Sequence, residues 1–333
     1  MSGLLEIKQI INNLISKYEV YLKPIFKFIF SLIVLFIING EFGYMEKINS
    51  APVVLIAALL CSFMPMNFIV LISALFVILH VYALSLECAV VILVLFLILF
   101  LLYLRLSPKD TIAVVITPIL TSMGIPYAMP VAMGLIGGPA STASVGCGVI
   151  VGCILKTVNA NADALRAMEN SDMADRIRFV IDAIIADKTM ILLAVAFIVT
   201  VMAVYLISKL SIKYSWPIAI VSGALLDALI VLIGGFAIDS SASGLGIFIG
   251  TILAVVVGFI VQFFKFNVDY LRTEKVQFED DDYAYFVTAI PKKKAASASG
   301  ARHRTATAPV RKRPASSGQS AQASGRAVSR DEE

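Results

Sequence analysis

Residues 88 to 104 read Cys88-Ala-Val-Val-Ile-Leu-Val-Leu-Phe-Leu-Ile-Leu-Phe-Leu-Leu-Tyr-Leu104, an unbroken apolar run with no charge, glycine or proline. About 20 apolar residues cross the hydrocarbon core as a helix, so this run predicts a transmembrane span. Seven more stretches read the same way: Ile25 to Asn39, Ala51 to Pro65, Asn67 to Leu84, Pro139 to Leu155, Thr189 to Ser208, Pro217 to Ala237 and Leu245 to Phe264, several of them short. The composition of the whole chain agrees. Of its 333 residues 59% are apolar and 15% charged, with a mean hydropathy of +0.91, whereas soluble domains hold about 25% charged residues. The predicted fold is an all-α polytopic bundle of about eight spans within residues 25–264.

A ninth apolar segment, residues 111–138, is interrupted by Pro118, Gly124, Pro126, Pro130, Gly134, Gly137 and Gly138. Broken backbone at membrane depth is tolerated only where protein or a water-filled cavity covers it, so the segment is a re-entrant hairpin or a kinked span. Short-loop Lys and Arg stay on the cytoplasmic side. Lys8, Lys17, Lys23 and Lys27 put the N-terminus there, Arg105 and Lys109 return there after four spans, and the basic C-terminus should share that side. An even number of crossings, with the broken segment re-entrant, satisfies all three. The reading leaves residues 158–188 outside despite Arg166, Arg176 and Arg178.

Two amphipathic stretches flank the spans. In residues 1–24, Leu4, Ile7, Ile11, Leu14 and Tyr18 recur at helical spacing, which predicts an interfacial helix. In residues 160–188, Met173, Ile177, Val180, Ile181 and Ile184 share one face, with Ser171-Asp172 as an N-cap signal. This helix packs on the rim of the bundle or gates it.

Leu135-Ile-Gly-Gly138 is followed by Gly146, Gly148 and Gly152, and the spacing recurs with one inserted residue as Leu232-Ile-Gly-Gly235 followed by Gly244, Gly246 and Gly250. The two glycine-bearing helices should run in opposite directions. The echo is an inverted repeat of the transporter kind, or two close-packing faces in helices rich in Gly and Ile.

Asp227 lies at the centre of Pro217 to Ala237 among apolar and small residues. A charge at that depth costs from about 2.5 to more than 10 kcal/mol, so the carboxyl must be protonated, paired or wet. Ser222, His80 and Lys156 are candidate partners. Asp239 and the run Ser141 to Ser144 hold corresponding places in the two copies of the echo, so Asp239 and Ser144 join Asp227, Gly124, Pro126 and Pro130 as candidate pathway residues, although both also suit ordinary turns. Glu87, at a span boundary, reads as a helix-end residue near water. Cys61, Cys88, Cys147 and Cys153 read as free buried thiols without metal spacing.

HExxH, Walker A and GxSxG motifs are missing from the sequence, and His80 and His303 are its two histidines. An enzyme and a resident cofactor are therefore not expected. Residues 1–264 carry as many basic as acidic side chains, so the net charge of +4 lies entirely in residues 265–333. Residues 265–291 form an acidic and aromatic juxtamembrane motif in which Tyr283, Tyr285 and Val287 alternate as in a short strand; Phe278, Tyr283, Tyr285 and Phe286 are its candidate contacts to a cytoplasmic protein. Residues 292–333 have the composition of a disordered basic tail, suited to anionic lipid and, lacking interleaved aromatics, poorly suited to nucleic acid.

The segment Val276-Gln-Phe-Glu-Asp-Asp-Asp-Tyr-Ala-Tyr-Phe-Val-Thr-Ala-Ile-Pro-Lys292, set after a multi-span region, resembles a family of uncharacterised bacterial membrane proteins often labelled ABC transporter permease. The resemblance implies a bacterial inner-membrane setting and a permease role, without substrate or catalytic residues to transfer. The functional expectation is a permease or transporter moving a small solute through a midplane site. The alternative is a membrane scaffold that recruits a partner through residues 276–291. Oligomeric state is not legible.

Overall fold

The computed structural model describes positions 7, 10, 11, 14, 15, 17–168, 171–238 and 244–265, and the backbone of residues 274–279 and 284–289. In chain order the elements are α1 (Glu19–Phe42), α2 (Ala51–Phe63), α3 (Asn67–Leu84), α4 (Leu86–Leu106), α5 (Thr111–Ser122), α6 (Ala128–Ile136), α7 (Ser141–Ala160), α8 (Ala162–Ala167), α9 (Met173–Ala186), α10 (Lys188–Lys209), α11 (Ser215–Ala237), α12 (Gly244–Lys265), β1 (Glu274–Glu279) and β2 (Ala284–Ala289). Seven helices, α1, α3, α4, α7, α10, α11 and α12, are long and apolar enough to cross a membrane. Their outer faces carry apolar side chains at high exposure, such as Leu93, Leu97 and Leu101 on α4 and Leu225, Leu229 and Ile233 on α11. Facing water, so much apolar surface would be an aggregation surface; facing lipid it is the natural exterior of a multi-pass membrane protein.

Three sequence expectations need correction here. Ala51 to Pro65 forms a helix of 13 residues, about 20 Å long, shorter than a full span. Residues 19–24 belong to α1 rather than to a separate N-terminal helix, because Pro24 sits inside α1 without ending it. Of the earlier stretch, positions 7, 10, 11, 14, 15 and 17 are helical, and Ile7, Ile10, Leu14 and Ile15 are exposed. Residues 160–188 hold two helices, α8 and α9, of which Val180 and Ile184 are buried while Met173, Ile181 and Ile185 point outward.

Side-chain bonds fix the direction of each helix. Lys27 Nζ donates to the Met64 carbonyl at 2.8 Å, and Ser62 Oγ to that of Pro24 at 2.9 Å, so α1 and α2 are antiparallel. Asn67 Oδ1 accepts from the Tyr103 hydroxyl at 2.9 Å and from Thr111 Oγ1 at 2.5 Å, which sets the start of α3 beside the end of α4. Call this the near end. At the far end, Met45 N–H donates to His80 Nδ1 at 3.2 Å, leaving Nε2–H to donate to Asn39 Oδ1 at 2.8 Å, and Asn39 Nδ2 donates to the Ile48 carbonyl at 3.1 Å. Every polar atom of that buried knot is matched, as burial demands.

The broken segment is a hairpin. At the end of α5 Ile125 N–H bonds the Leu120 carbonyl at 2.9 Å while Gly124 takes φ +77, the left-handed conformation that ends helices at low cost in glycine. Pro126 then cannot continue the helix. Pro130, read from sequence as one of the breaks, falls in the first turn of α6, where backbone N–H groups have no intrahelical partner and its missing donor costs nothing. A Cβ on Gly148 would lie 2.7 Å from Thr117, and one on Gly152 2.8 Å from Thr121, so α5 and α7 run side by side in the same direction. The chain must therefore return between them, and α6 does so. Nearly all of α6, Ala128 through Leu135, is buried, enclosed by α10, α11 and α12 in a core that includes Val131, Phe197, Val201, Ile220 and Ala254.

Candidate functional site

Asp227 sits near the middle of α11 and is 1% exposed. A Cβ added to Gly223 would strike Val204, which brings α11 against α10 in antiparallel contact. One turn along each helix, Asp227 comes to Thr200, itself fully buried. Thr200 is close enough to act on the carboxyl, yet Thr200 Oγ1, Asp227 Oδ1 and Asp227 Oδ2 all lack a hydrogen-bond partner of good geometry among the described residues. Threonines elsewhere in the spans return their hydroxyls to a backbone carbonyl, as Thr117 does to Ala113 at 2.6 Å and Thr121 to Thr117 at 2.8 Å.

The third member is Tyr127, just before α6 and within electrostatic reach of Asp227. Its ring packs edge to face on Phe197, with centroids 6.1 Å apart, and lies against Gly250 of α12, where any side chain would collide with it. The hairpin tip is thereby wedged between α10 and α12 next to the carboxylate. The carboxyl of Asp227 and the hydroxyl of Thr200 are groups able to hold a proton or a small cation, with the Tyr127 ring and the start of α6 in the same core. The described residues contain no group of three His, Cys, Asp or Glu side chains able to hold a metal.

The sequence-predicted residues separate on this framework. Asp227, Pro126 and Pro130 converge on one core, with Gly124 supplying the turn that delivers Tyr127. Ser144 does not join them: its hydroxyl bonds Ser107 and ties the start of α7 to the α4–α5 connection at the near end. Asp239 lies outside the described residues. The proposed partners of Asp227 also fall elsewhere. His80 is consumed by Asn39 and Met45, Ser222 donates to the Ile218 carbonyl of its own helix at 2.6 Å, and Lys156 lies at the far end of α7. Sequence reading missed Thr200 and Tyr127. Thr200 is a hydroxyl in the middle of an apolar span, and Tyr127 follows the proline that ends the turn; both were visible, but their convergence on Asp227 depends on helix packing.

Glu87 also departs from expectation. It is buried rather than near water: Arg176 Nη2 of α9 pairs with Oε1 at 2.9 Å, and Ser85 Oγ donates to Oε2 at 2.8 Å. Ser85 also caps α4 by accepting from Cys88 N–H. The amphipathic loop helix is thus pinned to the far end of the bundle by an ion pair. The four cysteines are free and buried.

The glycine echo yields opposite directions for α7 and α12 but not equivalent surroundings. Gly148 and Gly152 receive Thr117 and Thr121 of α5, whereas Gly250 receives the ring of Tyr127 and Gly258 receives Ile220 and Val131. These glycines act as close-packing faces.

Of the juxtamembrane motif, β1 and β2 pair antiparallel with Phe278 opposite Tyr285, Gln277 opposite Phe286 and Val276 opposite Val287. The expected short strand is therefore half of a hairpin. Tyr283 lies outside the described residues, as does the basic segment 292–333. No family model matches the chain, and neither a curated protein nor a solved structure does.

Proposed function

We propose that this protein is a membrane permease that moves a small solute past a mid-depth site made by Asp227, Thr200, Tyr127 and the start of α6. One observation carries the reading: the Asp227 carboxyl and the Thr200 hydroxyl, both buried on adjoining helices, have no hydrogen-bond partner of good geometry among the described residues. Leaving such groups unpaired is costly, and an intramembrane acid of this kind belongs to ion pathways and proton relays. A half-helix beginning at mid-depth beside it is the arrangement by which transporters present helix termini to their cargo. Asp227 serves as the exchangeable proton or cation site, and the hairpin tip as the element whose movement opens it.

In this reading seven long helices cross the bilayer and the short α2, lengthened by the connecting segment 43–50, makes the return between α1 and α3, with α5–α6 re-entrant and both ends of the bundle cytoplasmic. Lys17, Lys23, Lys27, Arg105, Lys109, Lys209, Lys213 and Lys265 gather at the near end against Glu19 and Asp110, while acidic residues outnumber basic ones among the described far-end positions; the basic side stays inside. A bacterial inner-membrane setting and the permease label rest on the resemblance of residues 276–292, and the tail holds anionic lipid.

The test is water access. In a background lacking Cys61, Cys88, Cys147 and Cys153, single cysteines at Thr200 and Ala224 are exposed in membranes to a small polar maleimide, with Ser211→Cys as the exposed control. Reaction at Ala224→Cys supports an aqueous path to Asp227. Protection at both buried positions while Ser211→Cys reacts removes the permease reading. The β1–β2 hairpin favours a second reading, a scaffold that docks a cytoplasmic partner there. If Asp227→Asn is neutral in cells while deletion of 274–289 is not, that second reading stands.

A further inference from the structure

A cavity of about 110 Å³ lies outside the Asp227 site, between α1, α3 and α4 on one side and α5 and α7 on the other. That is room for about eight water-sized groups. Its walls are aliphatic and aromatic, with Val34, Val77, Phe96 and Val115 among them. It runs from the Val114–Cys147 level near Tyr103 to Glu41 and Lys156 at the far end, about 13 Å along α7 at 1.5 Å per residue. An apolar void of this size does not hold water, and left empty it costs the lining its packing.

The Tyr103 and Ser122 hydroxyls on the lining are bonded to Asn67 and to the Ile119 carbonyl, but Ser73 and the Glu41–Lys156 end are different. Ser73 Oγ, midway along the slot, is buried without a hydrogen-bond partner among the described residues. At the mouth, Lys156 makes no ion pair among the described residues, whereas Glu41, also on the lining, accepts from Asn159 Nδ2 through its backbone carbonyl at 3.1 Å and through its carboxylate at 3.5 Å. A narrow slot of this length with a free ammonium at one end matches one kind of molecule. We propose that the cavity binds the alkyl chain of an anionic amphiphile, the chain lying along Ser73 and the carboxylate or phosphate head meeting Lys156. The inference is independent of the Asp227 reading, since none of the groups around Asp227 lines the slot.

The experiment is photo-crosslinking of the purified full chain in detergent with palmitic acid carrying a chain diazirine, followed by peptide mapping. Crosslinks should fall on the cavity faces of α3 and α5 and be lost in Ser73→Phe and in the milder Ala74→Leu, both of which fill the slot. A thermal unfolding midpoint at or above the parent's verifies that each variant is folded. Competition identifies the source: displacement by palmitate marks a free amphiphile, and displacement by phosphatidylglycerol alone marks a bilayer lipid, both supporting the site. Lys156→Met should weaken palmitate and leave palmityl alcohol unchanged. Labelling that persists in both filled, folded variants, or that palmityl alcohol displaces as well as palmitate does, overturns the proposal.

Discussion

The ends of the first half and the middle of the second half treat buried polarity in opposite ways. Around α1 to α4, His80, Asn39, Tyr103, Asn67, Thr111 and Glu87 all have side-chain partners. Around α10 to α12, Asp227 and Thr200 have none of good geometry among the described residues. The first arrangement locks helices to one another; the second leaves free energy unspent at one depth. On the permease proposal the contrast separates scaffold from working part, with Ser73 Oγ on α3 the one orphan hydroxyl among the described residues of α1 to α4.

Four substitutions test that contrast, each read by the unfolding midpoint in detergent. Arg176→Ala removes the charged partner of Glu87, which keeps its bond from Ser85, and losing a hydrogen bond to a charged group costs about 1.5–3 kcal/mol; it should give the largest loss and free α9 from the bundle. His80→Leu leaves Asn39 and the Met45 N–H unmatched and should cost about 1–3 kcal/mol. Asp227→Leu should act in the opposite direction, gaining up to about 1–2 kcal/mol by removing an orphan acid while abolishing any activity that depends on it. A loss of stability there would mean that Asp227 is a structural tie like His80, and the contrast would collapse. Glu19→Gln breaks an exposed bridge to Lys23 and should leave the midpoint unmoved, as surface pairs usually do.

A substitution at Gly134 sharpens the picture of the hairpin's seat. A Cβ there would lie 2.6 Å from Val204 and 3.0 Å from the Val201 carbonyl. Gly134→Ala should cost about 1–3 kcal/mol, the usual range for overpacking, and Val204→Ala should recover part of it in the double variant.

The legibility of these features follows from their range along the chain. Residues 88–104 announced a helix because every position in them is apolar, and the run of prolines and glycines after Thr111 announced a break because such residues act on their own backbone. Gly124 could be placed at a turn for the same reason. The neighbour of Asp227 could not be read, because Thr200 lies 27 positions away and comes near it only through the packing of α10 on α11. Glu87 misled for a related reason: its position at a helix start suggested solvent, and only the docking of α9 supplies the arginine that buries it. β1 was hidden because Glu274-Lys-Val-Gln-Phe-Glu279 carries charges that mask its alternation.

The depth at which α6 is seated has a consequence for how the protein is made. With 9 residues, α6 is far too short to be released into lipid as an independent span, and its cover comes from α10, α11 and α12, all synthesised later. On the re-entrant reading proposed above, the hairpin must wait at the membrane surface or within the translocation machinery until the last three helices arrive. Insertion and folding are then out of step at this element. Chains stopped after α9 should carry an unburied, protease-sensitive hairpin, and synthesis of α12 becomes the event that completes the core.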